Sequence, residues 1–476
     1  MDRMSLQDAS FLYIEDDVTP MHVGSVAIFE GPPPTHAELA ACFEAKLHLV
    51  PRYRQKVRLL PWNLGLPLWV DDRHFNLDYH LRRTAIPAPG GRQELHNLVG
   101  RVMSQHLDRA RPLWEVWAVE GLEDGCWGFV SKVHHAMVDG VAATDLMSVI
   151  FDAQPNAKPV AAAPWRPERE LSSIELLGHA VAGALSPLEQ LRGAASVVRA
   201  PARAAARGVD AVRGFVLFVD LLRPRPGTSL NGDYGPHRRW MSTHARLDDI
   251  KAIRRALGGT VNDTVLTVIT RGFRDLLGKR GETLEGRVVR TMVPVSVRAP
   301  DERGELNNRV SAVFVDLPVG LDEPLARLED IRRQMDGLKD SQGAVAGERL
   351  VRMAGFAPPM LAAMGGRLAA RLPMRSVNTV TTNVPGPQHP LYFAGRRMLE
   401  TSALIPLATA MRIAIGIFSY DGNVTFGVTG AYDTAPDIDV LCRGIDDGVA
   451  ELLAMLPRSQ RPTSPSFPPA PNGARK

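Results

Sequence analysis

Apolar residues recur along this chain in two rhythms, and the rhythm changes several times. Residues 23–29 (VGSVAIF) have the composition of a strand, whereas 37–48 carry apolar positions at helical spacing. Residues 127–133 (WGFVSKV) alternate as a half-buried strand does and run directly into His134 and His135, after which 141–151 become helical. A strand, a tight turn and a helix are predicted there. From Trp240 to residue 456 the alternation resumes, with strands predicted over 288–297, 310–317, 412–418 and 424–428. Both ends of the chain are thus of mixed α/β character.

The stretch between them differs. Ala and Pro dominate 155–167, and Ala/Leu/Val-rich helical segments with isolated arginines follow. The chain divides into an N-terminal α/β unit (1–155), a helical connecting region (156–240) and a C-terminal α/β unit (241–456). Residues 457–476 are basic and Pro/Ser-rich, too poor in apolar surface to order themselves, and are expected to be disordered. A length of 476 residues fits more than one domain.

Composition narrows the function by exclusion. With 45% hydrophobic and 23% charged residues the chain is neither fibrous nor wholly disordered. Its net charge of +4 is matched by Arg458, Arg461, Arg475 and Lys476 in the tail, leaving a neutral body. That balance argues against a nucleic-acid partner. Three cysteines, Cys42, Cys126 and Cys442, are odd in number and far apart, as reduced thiols of a cytosolic protein would be. The N-terminus lacks the apolar core of a signal peptide, and no run of about 18 apolar residues occurs, so neither export nor membrane spanning is expected.

The densest polar cluster in an apolar setting is His134-His135-Ala136-Met137-Val138-Asp139-Gly140. Imidazole titrates nearest neutrality, so a positioned histidine can take a proton from an alcohol and return it to a leaving group. Asp139 can fix the local geometry, and Gly140 suits a sharp entry into the helix. A plainer reading is a capped turn, with Asp139 bonding free helix amides. A zinc site fits poorly, because adjacent histidines are not spaced as ligand pairs usually are and no cysteine cluster supports them. No metal is assigned.

At this run the sequence resembles a known family. HHAMVDG matches the HHxxxDG motif of CoA-dependent acyltransferases and of peptide-synthetase condensation domains, and looks most like the bacterial wax ester synthase/acyl-CoA:diacylglycerol acyltransferases. The opening, Met4-Ser5 through Asp8, Phe11-Leu12 and Pro20-Met21-His22-Val23-Gly24, is similar to that family's start, as are Trp69-Val70-Asp71 with Phe75, and Pro112-Leu113-Trp114. Further matches are Leu230-Asn231, Thr260-Val261-Asn262-Asp263, Val293-Pro294-Val295-Ser296, Asn383-Val384-Pro385-Gly386-Pro387 and Ser419-Tyr420-Asp421-Gly422. HHxxxDG alone marks a superfamily; together with the PLW, ND and NVPGP runs in that order it marks the one family. The resemblance covers residues 1 to 455.

The resemblance implies an α/β fold of two chloramphenicol-acetyltransferase-like domains forming a pseudo-dimer, with a substrate tunnel between them. It also implies a reaction without a bound cofactor, in which acyl-CoA is a co-substrate and diacylglycerol or a long-chain alcohol is the acceptor. His135 is expected to be the general base, with no covalent acyl-enzyme. His134 supports geometry, so that its loss harms turnover less, and Asp139 holds the loop rather than touching substrate. Asn262 and Asp263 have a local explanation as well, because Thr260-x-x-Asp263 is a capping-box pattern. Pro112, Leu113 and Trp114 are expected to pack beside the tunnel. Asn383, Pro385 and Gly386 form a rigid turn, suited to shaping the CoA side or offering amides to the developing oxyanion.

Lipid acceptors imply a cytoplasmic protein associated peripherally with the inner membrane or lipid droplets. Two segments are candidates for that contact: 199–219, with Arg199, Arg203 and Arg207 at four-residue spacing, and the Met-containing stretch 353–372. Ordinary helix packing would explain either. Two other functions compete with the lipid acyltransferase. A condensation-type domain acting on carrier-bound thioesters is disfavoured by the ND and NVPGP runs and the lack of a carrier-attachment segment. A lipid-surface binding protein without turnover is disfavoured by the intact HHAMVDG.

Overall fold

The computed structural model describes residues 2–61, 65–137, 147, 149–156, 164–169, 172, 175, 178, 228–296, 310–340, 376–457, 459 and 461. In the N-terminal part, strands β1 (Asp2–Arg3), β2 (His22–Phe29), β3 (Gln55–Arg58), β4 (Leu68–Asp71), β5 (Leu81–Ala85), β6 (Trp114–Glu120) and β7 (Trp127–His134) occur with helices α1 (Leu6–Ile14), α2 (His36–Glu44), α3 (Leu77–His80) and α4 (Arg92–Ser104). In the C-terminal part, β8 (Arg238–Arg246), β9 (Val289–Ser296), β10 (Val310–Leu317), β11 (Thr379–Pro385), β12 (Tyr392–Phe393), β13 (Arg396–Leu404), β14 (Ile413–Tyr420) and β15 (Asn423–Ala431) occur with α5 (Leu247–Leu257), α6 (Val261–Lys279), α7 (Pro324–Asp340) and α8 (Ile438–Ala454). No helix among the described residues is long and apolar enough to cross a membrane. The three cysteines are unpaired thiols.

Helix starts follow the capping chemistry of the sequence. Thr35 and Glu38 close a capping box at α2, and Thr260 with Asp263 does the same at α6, so orphan amides at both N-termini are satisfied by side chains. At α1, Ser5 accepts the amide of Asp8 at 3.0 Å.

The strands form two six-stranded sheets, ordered β12-β13-β2-β7-β6-β5 and β10-β9-β11-β14-β15-β8, besides the small sheet β1-β4-β3. In the second sheet β14 is flanked by β11 (parallel) and β15 (antiparallel), and its residues Ile413, Ala414, Ile415 and Ile417 are fully buried, which is why it is apolar at almost every position. Each sheet has its own apolar core. One gathers Leu266, Phe273, Ile415 and Leu441; the other gathers Phe29, Phe43, Trp114, Trp127 and Phe129. The expected α/β architecture built on two units is therefore the observed one.

Chain order and spatial order differ most widely in the first sheet. Strands β12 and β13 lie beyond residue 390 yet complete the first sheet, β13 pairing antiparallel with β2. The two units also meet where α4 lies along β8. Gly100 permits this approach, since a Cβ there would sit 2.8 Å from the Arg238 carbonyl oxygen. Ser104 then accepts the Arg238 amide at 2.8 Å. Strand β8 belongs to the second sheet, beginning three residues before the boundary expected at 241. Most of the expected connecting region and tail lie outside the described residues.

Candidate active site

The HHAMVDG run emerges from the end of β7. His134 is the strand's last residue and faces His22, the first residue of β2, across the antiparallel pair. The backbone of the motif is held from two sides: the His134 amide donates to the Leu113 carbonyl at 2.9 Å, and the His135 amide donates to the Met21 carbonyl at 2.8 Å. His135–Met137 then form one 3-10 turn, closed by a side chain, as the Ala136 amide donates to Nδ1 of His134 at 3.1 Å. This arrangement buries His134 and leaves His135 half-buried as a residue, with its ring Nδ1 enclosed. Helix α1 crosses above it, and Phe11 stacks on His135 with centroids 3.8 Å apart and planes 17° apart.

Behind the turn lies a buried carboxylate. Glu15 caps the C-terminus of α1, its amide donating to Phe11 at 3.2 Å, and its side chain is 5% exposed. Its Oε2 accepts Arg109 Nε at 3.0 Å and Nη2 at 2.5 Å, and its Oε1 accepts the Met21 amide at 3.2 Å. His22 Nε2 stands 3.3 Å from Oε1, His134 Nε2 3.4 Å from Oε2, and His106 Nδ1 3.7 Å from Oε1. Burial opposes the carboxylate's charge, but the contacts to His134, His22 and Arg109 prevail and hold it well below the usual carboxylate range. Glu15, His22 and His106 bring ligand-type atoms within 4.8 Å of one another. Both Glu15 oxygens are already engaged, however, one by a guanidinium, so the group reads as an ion-paired anchor rather than a metal centre.

Burial disfavours the charged form of two histidines here, His135 and His22. Burial pushes His135 down to about 4, its own backbone carbonyl working the other way and His134 adding to the depression. Burial likewise takes His22 to about 3 despite Glu15, with Lys132 contributing. At neutral pH the His135 ring therefore carries a free lone pair, the form in which imidazole accepts a proton.

The remaining sequence-predicted residues fall into two groups. Pro112, Leu113 and Trp114 are buried; the Leu113 carbonyl positions His134, and Trp114 stacks on His80 and Phe43 at 4.5 and 5.7 Å while donating Nε1 to the Tyr53 carbonyl at 2.9 Å. Asn262, Asp263, Asn383, Pro385 and Gly386 form a second group in the C-terminal part. Asp263 closes the capping box of α6, Asn383 donates to Asn262 Oδ1 at 3.2 Å, and the Gly386 amide donates to Ser419 Oγ at 3.2 Å. Pro385 ends β11 opposite Ser419, and a Cβ on Gly386 would lie 2.3 Å from the Ser419 carbonyl oxygen, so the turn accepts glycine alone. Among the described residues no hydrogen bond joins this group to His134 or His135. Asp139 and Gly140 lie outside the described residues, as do segments 199–219 and 353–372.

Four residues at the site receive no role from sequence reasoning: Phe11, Glu15, His22 and Arg109. Phe11 and His22 fall within runs that resemble the family's opening, which is the signal that could have found them. Glu15 offers none, because an acid just after a short helix reads as a solvated charge.

Residues 4–265 match the family described as the wax ester synthase/diacylglycerol acyltransferase catalytic domain, and residues 306–453 match the WS/DGAT C-terminal domain. A Mycobacterium tuberculosis protein named "Probable diacyglycerol O-acyltransferase tgs1" is 35% identical over 460 residues, covering 96% of this chain and 97% of the relative. A second from that species, tgs2, is 32% identical, covering 95% and 99%. Among solved structures, the wax ester synthase/diacylglycerol acyltransferase from Marinobacter aquaeolei VT8 superposes with a TM-score of 0.67 at 25% identity, over 95% of this chain and 99% of that one. The first condensation domain of the calcium-dependent antibiotic synthetase shares the fold, with a TM-score of 0.59 at 17% identity over 95% of each chain.

Proposed function

This chain belongs to the wax ester synthase/diacylglycerol acyltransferase family, and on that premise we propose that it moves a long-chain acyl group from acyl-CoA to diacylglycerol, forming triacylglycerol, and to long-chain alcohols, forming wax esters. His135 is the general base. As the acceptor hydroxyl attacks the thioester carbonyl carbon, the His135 ring takes its proton. When the C–S bond breaks, the imidazolium returns that proton to the departing CoA thiolate, leaving ester and CoA thiol. The step needs no covalent acyl-enzyme and no bound cofactor, and such proton transfer contributes roughly 10²–10⁴-fold in rate. The substrates enter between the two units, and the chain works from the cytoplasm at a membrane or lipid-droplet surface.

The observation that carries this reading is the placement of the His135 ring at a strand end, with Phe11 stacked on it and the Met21 carbonyl holding its backbone, where burial disfavours its charged form. The direct test supplies labelled palmitoyl-CoA with diacylglycerol and hexadecanol in competition and resolves the neutral lipids formed. Labelled triacylglycerol is expected as the main product with wax ester beside it; absence of both rejects the reading.

The pH dependence follows from the same ring. Its value in the folded protein is lowered to about 4, so the base form is complete above that pH and is lost as pH falls through it. The acid limb of kcat/KM is expected near 4, and a limb near the ordinary histidine value of about 6.5 would place the working ring in solvent.

A further inference from the structure

We propose that Glu15 is a positioning residue for acyl transfer: its carboxylate fixes the Nε2–H tautomer of His134, whose Nδ1 in turn holds the turn that presents His135. The inference rests on His135 as the base.

The tautomer follows from the hydrogen bonds. Nδ1 of His134 accepts the Ala136 amide at 3.1 Å, so that nitrogen carries a lone pair and the ring proton resides on Nε2. Nε2 stands 3.4 Å from Glu15 Oε2, a contact with the carboxylate's charge rather than a hydrogen bond, and has no hydrogen-bond partner among the described residues. The opposite tautomer would set N–H against N–H at Ala136 and a lone pair against a carboxylate. An ionised Glu15 therefore penalises the tautomer that would open the turn.

Glu15 reaches His135 by two further routes. It accepts the Met21 amide at 3.2 Å, and the carbonyl of that same residue accepts the His135 amide at 2.8 Å. Its own amide donates to Phe11, whose ring stacks on His135. One carboxylate thus grips the backbone before the motif, the ring within it and the helix above it. Arg109 holds the carboxylate in turn, its guanidinium reaching Oε2 from a partly exposed position. Burying an ionised group is costly, and an apolar residue would cap α1 more cheaply; retention of the charge beside a base is what a positioning role requires.

The test combines kinetics with a direct reading of the ring. In the unaltered protein, histidine-ring 15N spectra, with the His134 signal assigned by its loss in His134→Asn, are expected to show Nε2–H. Glu15→Gln is expected to lower kcat roughly 10–100-fold, as misplacement of a reacting group does, with KM for palmitoyl-CoA within about twofold. Glu15→Asp restores part of that loss. His134→Asn keeps an acceptor for the Ala136 amide, and the double variant Glu15→Gln/His134→Asn is expected to be little worse than His134→Asn alone. An Nδ1–H signal in the unaltered protein, an unchanged kcat in Glu15→Gln, or independent multiplication of the two losses overturns the proposal. If Glu15→Gln does not fold, Glu15→Asp carries the test: an intermediate loss of kcat supports the proposal, and an unchanged kcat overturns it. Loss of turnover in His135→Ala alongside full activity in Glu15→Gln defeats this inference alone, whereas an active His135→Ala defeats the reading on which it rests.

Discussion

Replacing His135 by alanine is expected to abolish ester formation in a protein that still folds. The kinetic half follows from how the neighbouring groups among the described residues are engaged: His134 is buried with Nδ1 committed to the Ala136 amide, and Glu15 is committed to Arg109 and Met21. Loss of general-base assistance alone lowers turnover by roughly 10²–10⁴-fold. The structural half follows from what alanine keeps. The hydrogen bond donated by the residue 135 amide to the Met21 carbonyl survives, the Ala136 cap survives, and the ring stack on Phe11 is lost, worth about 1 kcal/mol. Transfer from labelled palmitoyl-CoA beside a thermal melt separates the two. Ester formation at the unaltered rate would dispose of the base assignment, and a collapsed melt would show that the ring is structural. His134→Ala should behave differently, lowering both melting temperature and turnover, because it strands the Ala136 amide and takes a partner from a buried carboxylate.

The contrast between His135 and Glu15 shows what a sequence makes visible. Two histidines following an alternating run stand out because the residues before them must form a strand and those after them must turn. Strands β7, β10 and β14 are legible for the same reason, and their ends move by no more than about two residues. Strand β13 (RRMLETSAL) is not legible: arginines and a glutamate interrupt its apolar positions, and its partner β2 lies at the other end of the chain. Pairing of that kind is set by the packing of whole units, not by local periodicity. Glu15 is hidden likewise. Its burial depends on Arg109 and on two histidines from different strands, and no one stretch of sequence contains that neighbourhood.

Lys132 carries the largest expected effect on stability. It lies on β7, two residues before the motif, with a side chain that is 0% exposed. Its ammonium donates to the Val102 carbonyl at 2.9 Å, to the Gln105 carbonyl and to Glu115 Oε1 at 3.1 Å. Val102 and Gln105 belong to the last turn and cap of α4, where the Val102 carbonyl holds only the cap amide of Gln105 and the helix dipole is negative, so one buried cation completes both carbonyls. Burial lowers the Lys132 pKa while Glu115 works to raise it. Lys132→Met fills the same space without charge, leaving the Gln105 carbonyl unmet, the Val102 carbonyl with the Gln105 amide alone and Glu115 with Arg82 alone. Breaking a buried pair from one side costs roughly 3–5 kcal/mol, a large part of the total stability of a typical domain, so the melting temperature should fall by on the order of 10 °C. Removing the second charge as well should recover part of the loss, so Lys132→Met/Glu115→Leu is expected to melt above the single variant, with Arg82 turning to water. Because α4 lies along β8, the damage reaches the contact between the two units, and turnover should fall with heating well before it does in the unaltered protein. A single variant that melts within about 1 °C of the unaltered protein would mean that these carbonyls find water instead, and that the charge contributes nothing net to the fold.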